Sequence, residues 1–337
     1  MTETLLDSPA LIEGLSEAAI ILDDGRVVAA NAAARKLLGD SIRSATLRDV
    51  IKHPAAVAAL ERGAGAAEDV ELTGLGSSRH HWLMRSASLP GGALLIRFVD
   101  RSEARAAEQM RVDFVANASH ELRTPLSTLI GYTETLREQA DEIDPDTRER
   151  FLSVLHDEAR RMQRVVEDLI SLSRIEGEKF TAPIDAIDLQ PLISQAAENA
   201  RRMAAERNSE IICAVEPRVP PVAADSGQIL QVLDNLIANA LRYGQHGTPV
   251  TVSARREGAM VHVAVADEGE GIAAEHIGRV TERFYRVDTG RSRALGGTGL
   301  GLSIVKHIVE RHRGRLSIDS KLGVGTTIHI LLPIAVS

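Results

Sequence analysis

Hydrophobic and polar positions along the chain follow different rhythms in successive stretches. Over residues 1–100 the apolar runs are short and bounded by turn residues. Ala19-Ile20-Ile21-Leu22 and Val27-Val28-Ala29-Ala30 flank Asp23-Asp24-Gly25-Arg26, and the Asp-Gly pair suits a tight hairpin because both central residues tolerate positive φ. Asn31 is placed to cap a helix over residues 32–38, which Gly39 ends. Runs around His81-Trp82-Leu83-Met84 and Ala93-Leu94-Leu95-Ile96-Arg97-Phe98-Val99 predict further strands of the same sheet. A small α/β unit is expected here.

From Glu103 to about Gln139 the pattern becomes helical, with no glycine before Gly131 and with charges opposite the apolar stripe. Glu142-Ile143-Asp144-Pro145-Asp146 breaks the helix; Asp144 can cap a second one, and Pro145 suits its first position, where an N–H would lack a partner anyway. The second helix is expected to run to about Glu176 and close at Gly177. Its residues Leu152, Leu155, Ala159, Met162, Val166 and Leu169 have the 3,4 spacing of a coiled-coil seam. Two helices alone bury too little, so the hairpin over residues 101–177 is expected to pair with a second copy as a four-helix bundle. Packing on its own chain's sheet stays open as the alternative.

A linker over residues 178–185 contains Thr181-Ala182-Pro183-Ile184-Asp185. Beyond it the pattern predicts helices near Leu192–Arg207, Ser226–Leu241 and Leu300–Arg311. Strands are predicted at Ile211–Val215, Val250–Arg256, Met260–Asp267, Arg315–Ser320 and Thr326–Pro333. Helices fall between groups of strands, so residues 186–337 should form an α/β sandwich, one mixed sheet covered by helices on one face. The whole chain reads as multidomain α+β.

Composition narrows the function. With 44% apolar, 26% charged and only 3% aromatic residues, the cores must be filled by aliphatic side chains. A net charge of −8, with no basic stripe, argues against nucleic acid. Cys213 stands alone in Ile211-Ile212-Cys213-Ala214-Val215, so no internal disulfide can form; a buried strand cysteine in a reducing compartment is expected. No apolar run reaches 18 residues, and Met1-Thr2-Glu3-Thr4 lacks a basic n-region. The expectation is a chain without a membrane span, cytoplasmic or peripheral at the inner membrane.

The candidate chemistry begins in Phe114-Val115-Ala116-Asn117-Ala118-Ser119-His120-Glu121-Leu122-Arg123-Thr124-Pro125-Leu126. As a helix it puts Phe114, Ala118 and Leu122 on one side and His120 about 200° away, facing outward. Thr124 shares the face of His120, Arg123 lies nearly on it, and Pro125 should bend the helix just beyond. Taken alone, His120 would be a solvated surface histidine. Farther on, Asn235 and Asn239 share a helical face that ends in Arg242 and Tyr243; amide oxygens suit Mg²⁺, a hard cation that retains waters while bridging phosphates. The strand Val263-Ala264-Val265-Ala266 enters Asp267-Glu268-Gly269-Glu270-Gly271-Ile272. There a buried carboxylate could accept from an exocyclic amine while glycines let backbone approach a base. Gly296-Gly297-Thr298-Gly299-Leu300-Gly301-Leu302 can turn N–H groups toward phosphate at the positive end of the following helix. Asp288-Thr289-Gly290-Arg291-Ser292-Arg293 has the character of a mobile lid.

The string around His120 resembles the phosphoacceptor box of sensor histidine kinases. The later stretches, together with Arg283-Phe284-Tyr285-Arg286, resemble the N, G1, F and G2 boxes of their ATPase domain, in order. Residues 1–100 resemble a PAS sensor domain, with Asp100-Arg101-Ser102-Glu103 as its exit to an output helix, and this domain could take a small ligand or a protein partner. His53, His80 and His81 in it read as solvated rather than as ligands of a cofactor. The resemblance implies a homodimeric kinase close to the phosphate-regulon type, with a C-terminal fold of the histidine-kinase and Hsp90 kind and with ATP and Mg²⁺ as cofactors. It assigns His120 as phosphoacceptor, Glu121 as base and Thr124 as the residue that positions water for dephosphorylating the regulator. Asn239 would ligate Mg²⁺, Asn235 would support the phosphates, and Arg242 and Tyr243 would line the phosphate and ribose region. Asp267 would contact adenine, with Gly269, Gly271 and Thr326 beside it, and Gly297, Thr298, Gly299, Leu300 and Gly301 would hold phosphate. The chain departs from the family in carrying Glu268 where Asn is usual. The implied partner is a response regulator receiver domain. A silent regulator-binding scaffold, or an ATPase of the Hsp90 and mismatch-repair type, are the alternatives.

Overall fold

The computed structural model describes residues 12–335 apart from 43–44, 52, 62–68, 76–79, 140–141, 179–180 and 288–296. It divides into two compact units, Met1–Asp113 and Phe114–Ser337. The expected lid and Gly296 lie outside the described residues.

The first unit is built on a five-stranded antiparallel sheet of spatial order β2-β1-β5-β4-β3. Its strands are β1 (Ala18–Asp23), β2 (Arg26–Ala30), β3 (Asp69–Thr73), β4 (His81–Ser88) and β5 (Leu94–Asp100). The hairpin turns on Asp24 and Gly25 at φ 46 and 71°, the left-handed pair that a tight turn needs. Asn31 does more than cap α1 (Ala32–Leu38). Its Oδ1 accepts from the N–H groups of Ala34 at 2.8 Å and Ala19 at 3.0 Å, while its Nδ2 donates to three carbonyls. One buried side chain thus ties helix to sheet. Short helices α2 (Leu47–Val50) and α3 (Pro54–Glu61) follow. His80 and His81 are exposed, the former stacked on Trp82, and His53 is half-buried. Among the described residues no three His, Cys, Asp or Glu side chains form a metal-binding group. At the exit Asp100 accepts the Ser102 N–H at 2.8 Å and the Ser102 hydroxyl accepts the His81 N–H at 2.9 Å. The hydroxyl and N–H of Ser102 hold the Asp100 carboxyl below its ordinary range.

The helix α4 (Ser102–Glu138) carries Pro125 inside it, and the boundary between the units falls within it. In the second unit α5 (Pro145–Gly177) is capped by Asp144, whose carboxylate accepts the Thr147 N–H at 2.9 Å, with Pro145 at the first helical position. The helix includes Gly177 and is capped one residue later, at Glu178. The apolar seam read from the sequence is only half covered, with Leu152 and Val166 exposed. Its neighbour on the same helix, Arg161, Val165, Leu172 and Ile175, is buried instead. Leu172 and Ile175 enter the core of the following α/β domain, so this second stripe makes the packing against its own chain that the sequence left as the alternative.

That domain holds a mixed sheet of order β11-β12-β10-β9-β7. The strands are β7 (Ile211–Val215), β9 (Val250–Glu257), β10 (Met260–Asp267), β11 (Arg315–Lys321) and β12 (Gly325–Pro333), and only the β7–β9 pairing is parallel. A two-stranded ribbon of β6 (Ala186–Ile187) and β8 (Val222–Ala223) lies beside it. The inner face, which includes Val252, Val263, Val265, Ile328 and Ile330, meets α6 (Leu189–Glu206), α7 (Ser226–Tyr243) and α9 (Gly301–Arg311); α8 (Ala274–Ile277) is a single short turn. Cys213 corrects the sequence expectation: it is exposed, because β7 is the edge strand and pairs on one side only. No described helix is long and apolar enough to cross a membrane.

Candidate active site

His120 is exposed on α4. The Thr124 hydroxyl, one turn on, donates to the His120 carbonyl at 3.3 Å, which keeps it on the histidine's face. Glu121 is not free beside it. Its Oε2 accepts from Arg161 of α5 at 3.1 Å and from Arg286 at 3.0 Å, and both guanidiniums are nearly fully buried. A carboxylate held by two cations in a partly buried setting is a charge-assisted contact of the strong kind. One of its two carboxylate oxygens thus carries both contacts.

Across the domain, Asp225 caps α7 and so fixes the helix that carries Asn235 and Asn239. Asn235 donates to the Gln231 carbonyl at 3.0 Å, which turns its oxygen toward the loop before α9. A methyl added to Gly301 would meet that oxygen at 2.8 Å. The N-box pair and the glycine loop therefore form one surface, and a side chain at Gly301 would push the Asn235 amide from its place. Asn239 Oδ1 accepts from Arg242 Nη1 at 3.0 Å. The Tyr243 side chain is exposed, while its carbonyl abuts Gly269 so closely that a Cβ there would lie 2.4 Å from it.

Asp267 ends β10 opposite Thr326 of β12. Burial pushes its carboxyl up to about 6, against the opposing pull of backbone N–H groups from Thr326 and Gly269. Thr326 is fixed in turn by a 2.8 Å contact with the Ser320 hydroxyl. Gly271 at φ +70° and Gly325 at φ +137° sit where added side chains would meet the Lys321 and Asp267 carbonyls. The surroundings of Asp267 are therefore walled by backbone. The Glu268 side chain is exposed. Gly299, at φ +74°, accepts through its carbonyl the Phe284 N–H at 2.8 Å, joining the F-box segment to the glycine loop. Gly297 and Leu300 are buried.

The structure also recruits residues that the motifs did not name. Thr298 donates to Asp168 of α5 at 2.7 Å. Arg283 pairs with Glu176, Arg311 with Glu178 at 2.8 Å, and Ser171 donates to Gln231 at 2.9 Å. The signal available in sequence was the second stripe of α5, Arg161, Val165, Asp168, Leu172 and Ile175, which repeats the 3,4 spacing but places charges in it.

Comparison with known proteins fits this geometry. Residues 224–336 match the histidine kinase-, DNA gyrase B- and HSP90-like ATPase model, residues 110–178 the His Kinase A (phospho-acceptor) domain, and residues 10–69 a PAS domain. With these domains in this order, the chain belongs to the PAS-containing sensor histidine kinases. It is similar to the sensor-like histidine kinase SenX3 of Mycolicibacterium smegmatis, 41% identical over 235 residues that cover 69% of this chain and 60% of that one. It is also similar to the phosphate regulon sensor protein PhoR of Pseudomonas aeruginosa, 37% identical over 234 residues that cover 69% of this chain and 52% of that one. The chain thus spans between half and two thirds of these relatives. The fold is shared with histidine kinase ThkA, solved in complex with response regulator protein TrrA, at a TM-score of 0.54 and 19% identity over 96% of this chain and 97% of that one.

Proposed function

We propose that the chain transfers the γ-phosphoryl group of ATP to His120 and passes it on to an aspartate of a response regulator receiver domain, acting as a homodimer on the cytoplasmic side. The observation that carries this reading is an exposed imidazole on a helix whose next residue, Glu121, already touches the ATPase domain through Arg286. In the forward step one ring nitrogen attacks the γ-phosphorus, the bond to the β–γ bridging oxygen breaks, ADP leaves, and the proton on the other ring nitrogen passes to Glu121. One of the two Glu121 oxygens carries both guanidiniums. Asp267 accepts the adenine amine, and Asn235, Arg242 and the loop from Gly297 to Gly301 hold the phosphates.

The donor set fits Mg²⁺, which takes few side-chain oxygens and completes its shell with phosphate and water. Asn239 would hold it, with the oxygen now occupied by Arg242 turned toward the ion. When bound, the ion supplies charge neutralisation on the phosphates. Thr124 orients water in the reverse, dephosphorylating activity, and the half-covered seam of α5 supplies the dimer contact. The test is incubation with γ-labelled ATP: acid-labile, base-stable label that disappears in His120→Gln is expected. Steady phosphate release that survives the substitution, without label, would make the protein an ATPase of the Hsp90 type.

A further inference from the structure

The positive end of α9 receives no side-chain cap from its own segment. Thr298, just ahead of it, accepts the Leu300 N–H at 3.2 Å and turns its own proton to the Asp168 carboxylate at 2.7 Å. The charges of Arg242 and Arg164 favour an anion at this position, and Glu167 opposes it. A hydroxyl donor at the N-terminus of a helix, with guanidinium charge nearby, makes the surroundings that a phosphate oxygen would find, and here the Asp168 carboxylate takes that place.

We propose that Asp168 is an internal stand-in for a nucleotide phosphate, occupying the cradle before α9 and holding it against ATP while α5 is docked there. The inference rests on reading the Gly297–Gly301 loop as the phosphate cradle. Asp168 belongs to the buried stripe of α5 and not to the seam left for a partner, so its placement depends on contacts within one unit. Neighbouring ties, Ser171 to Gln231, Glu176 to Arg283 and Glu178 to Arg311, keep the helix seated without it. Removing the carboxylate therefore changes what fills the cradle and leaves the docking in place. The contact is also poised to open. Burial raises the Asp168 carboxyl above its ordinary range despite the Thr298 hydrogen bond, so the contact only partly offsets the loss of water around the charge.

Calorimetric titration of the full chain with ATP and, separately, with adenosine tests this, using Asp168→Ala and the near-isosteric Asp168→Asn. Tighter ATP binding by about tenfold in Asp168→Ala is expected, the size of one charge-assisted contact, with a smaller gain in Asp168→Asn and adenosine unchanged in both. If Asp168→Ala does not fold, Asp168→Asn carries the same test. ATP binding that is equal in wild type and variants, or an adenosine gain matching the ATP gain, overturns the proposal and leaves the nucleotide site standing. If neither wild type nor variants bind ATP, the reading of the cradle falls and the proposal with it.

Discussion

At the scale of single residues, the clearest consequences lie at Asp267 and Gly301. Burial lifts the Asp267 carboxyl to about 6. Below that pH it is protonated, and a neutral carboxyl accepts from an adenine amine more weakly than a carboxylate. ATP affinity should fall as pH drops from 7 to 5. Asp267→Asn should lose about tenfold in affinity and most of that pH dependence, as read by titration calorimetry. Fold stability should move the other way. A group whose folded value is raised binds its proton more tightly folded than unfolded, so its contribution is full below the unfolded value and is lost as pH rises through about 6. The thermal midpoint of the ligand-free protein should owe Asp267 an increase on acidification across that window, which Asp267→Asn abolishes. At Gly301 the added methyl of Gly301→Ala would press on the Asn235 amide oxygen. That oxygen ends a movable side chain and alanine favours the helix, so the thermal midpoint should hold while ATP binding weakens several-fold.

At the scale of elements, the hairpin carries the main prediction. Leu152 and Val166 are exposed on the stripe of α5 that its own chain covers only in part, and burying such side chains is worth about 1.5–3 kcal/mol each. Leu152→Glu with Val166→Glu should raise the dimer dissociation constant at least about tenfold by sedimentation equilibrium, with helical content unchanged. This element also shows how far sequence reading reached. Strands β7 and β10 and the Asp144–Pro145 start of α5 were legible because each rests on local rules: short apolar runs, capping and a proline at the first position. The buried stripe was not. Arg161 and Asp168 count against burial until Glu121 and Thr298 are known to face them, and those partners are 40 and 130 residues away. Cys213 was misplaced for a similar reason, since an apolar run shows that a strand forms but not whether it lies at an edge.

At the scale of the whole molecule, the motif residues group by distance along the chain and converge only through the fold. Asp267 meets Thr326 because β10 and β12 are adjacent, and Asn235 meets Gly301 because α7 and α9 pack together. None of these contacts involves the first unit, so nucleotide binding should be a property of residues 114–337. The measurement that bears most directly on the account is mass-spectrometric localisation, at neutral pH, of the phosphoryl group after the full chain is incubated with ATP and Mg²⁺. The account predicts a single modified position, His120, that empties when a receiver domain is added. A phosphoryl group carried elsewhere, or an unmodified chain that nonetheless binds ATP, would contradict it.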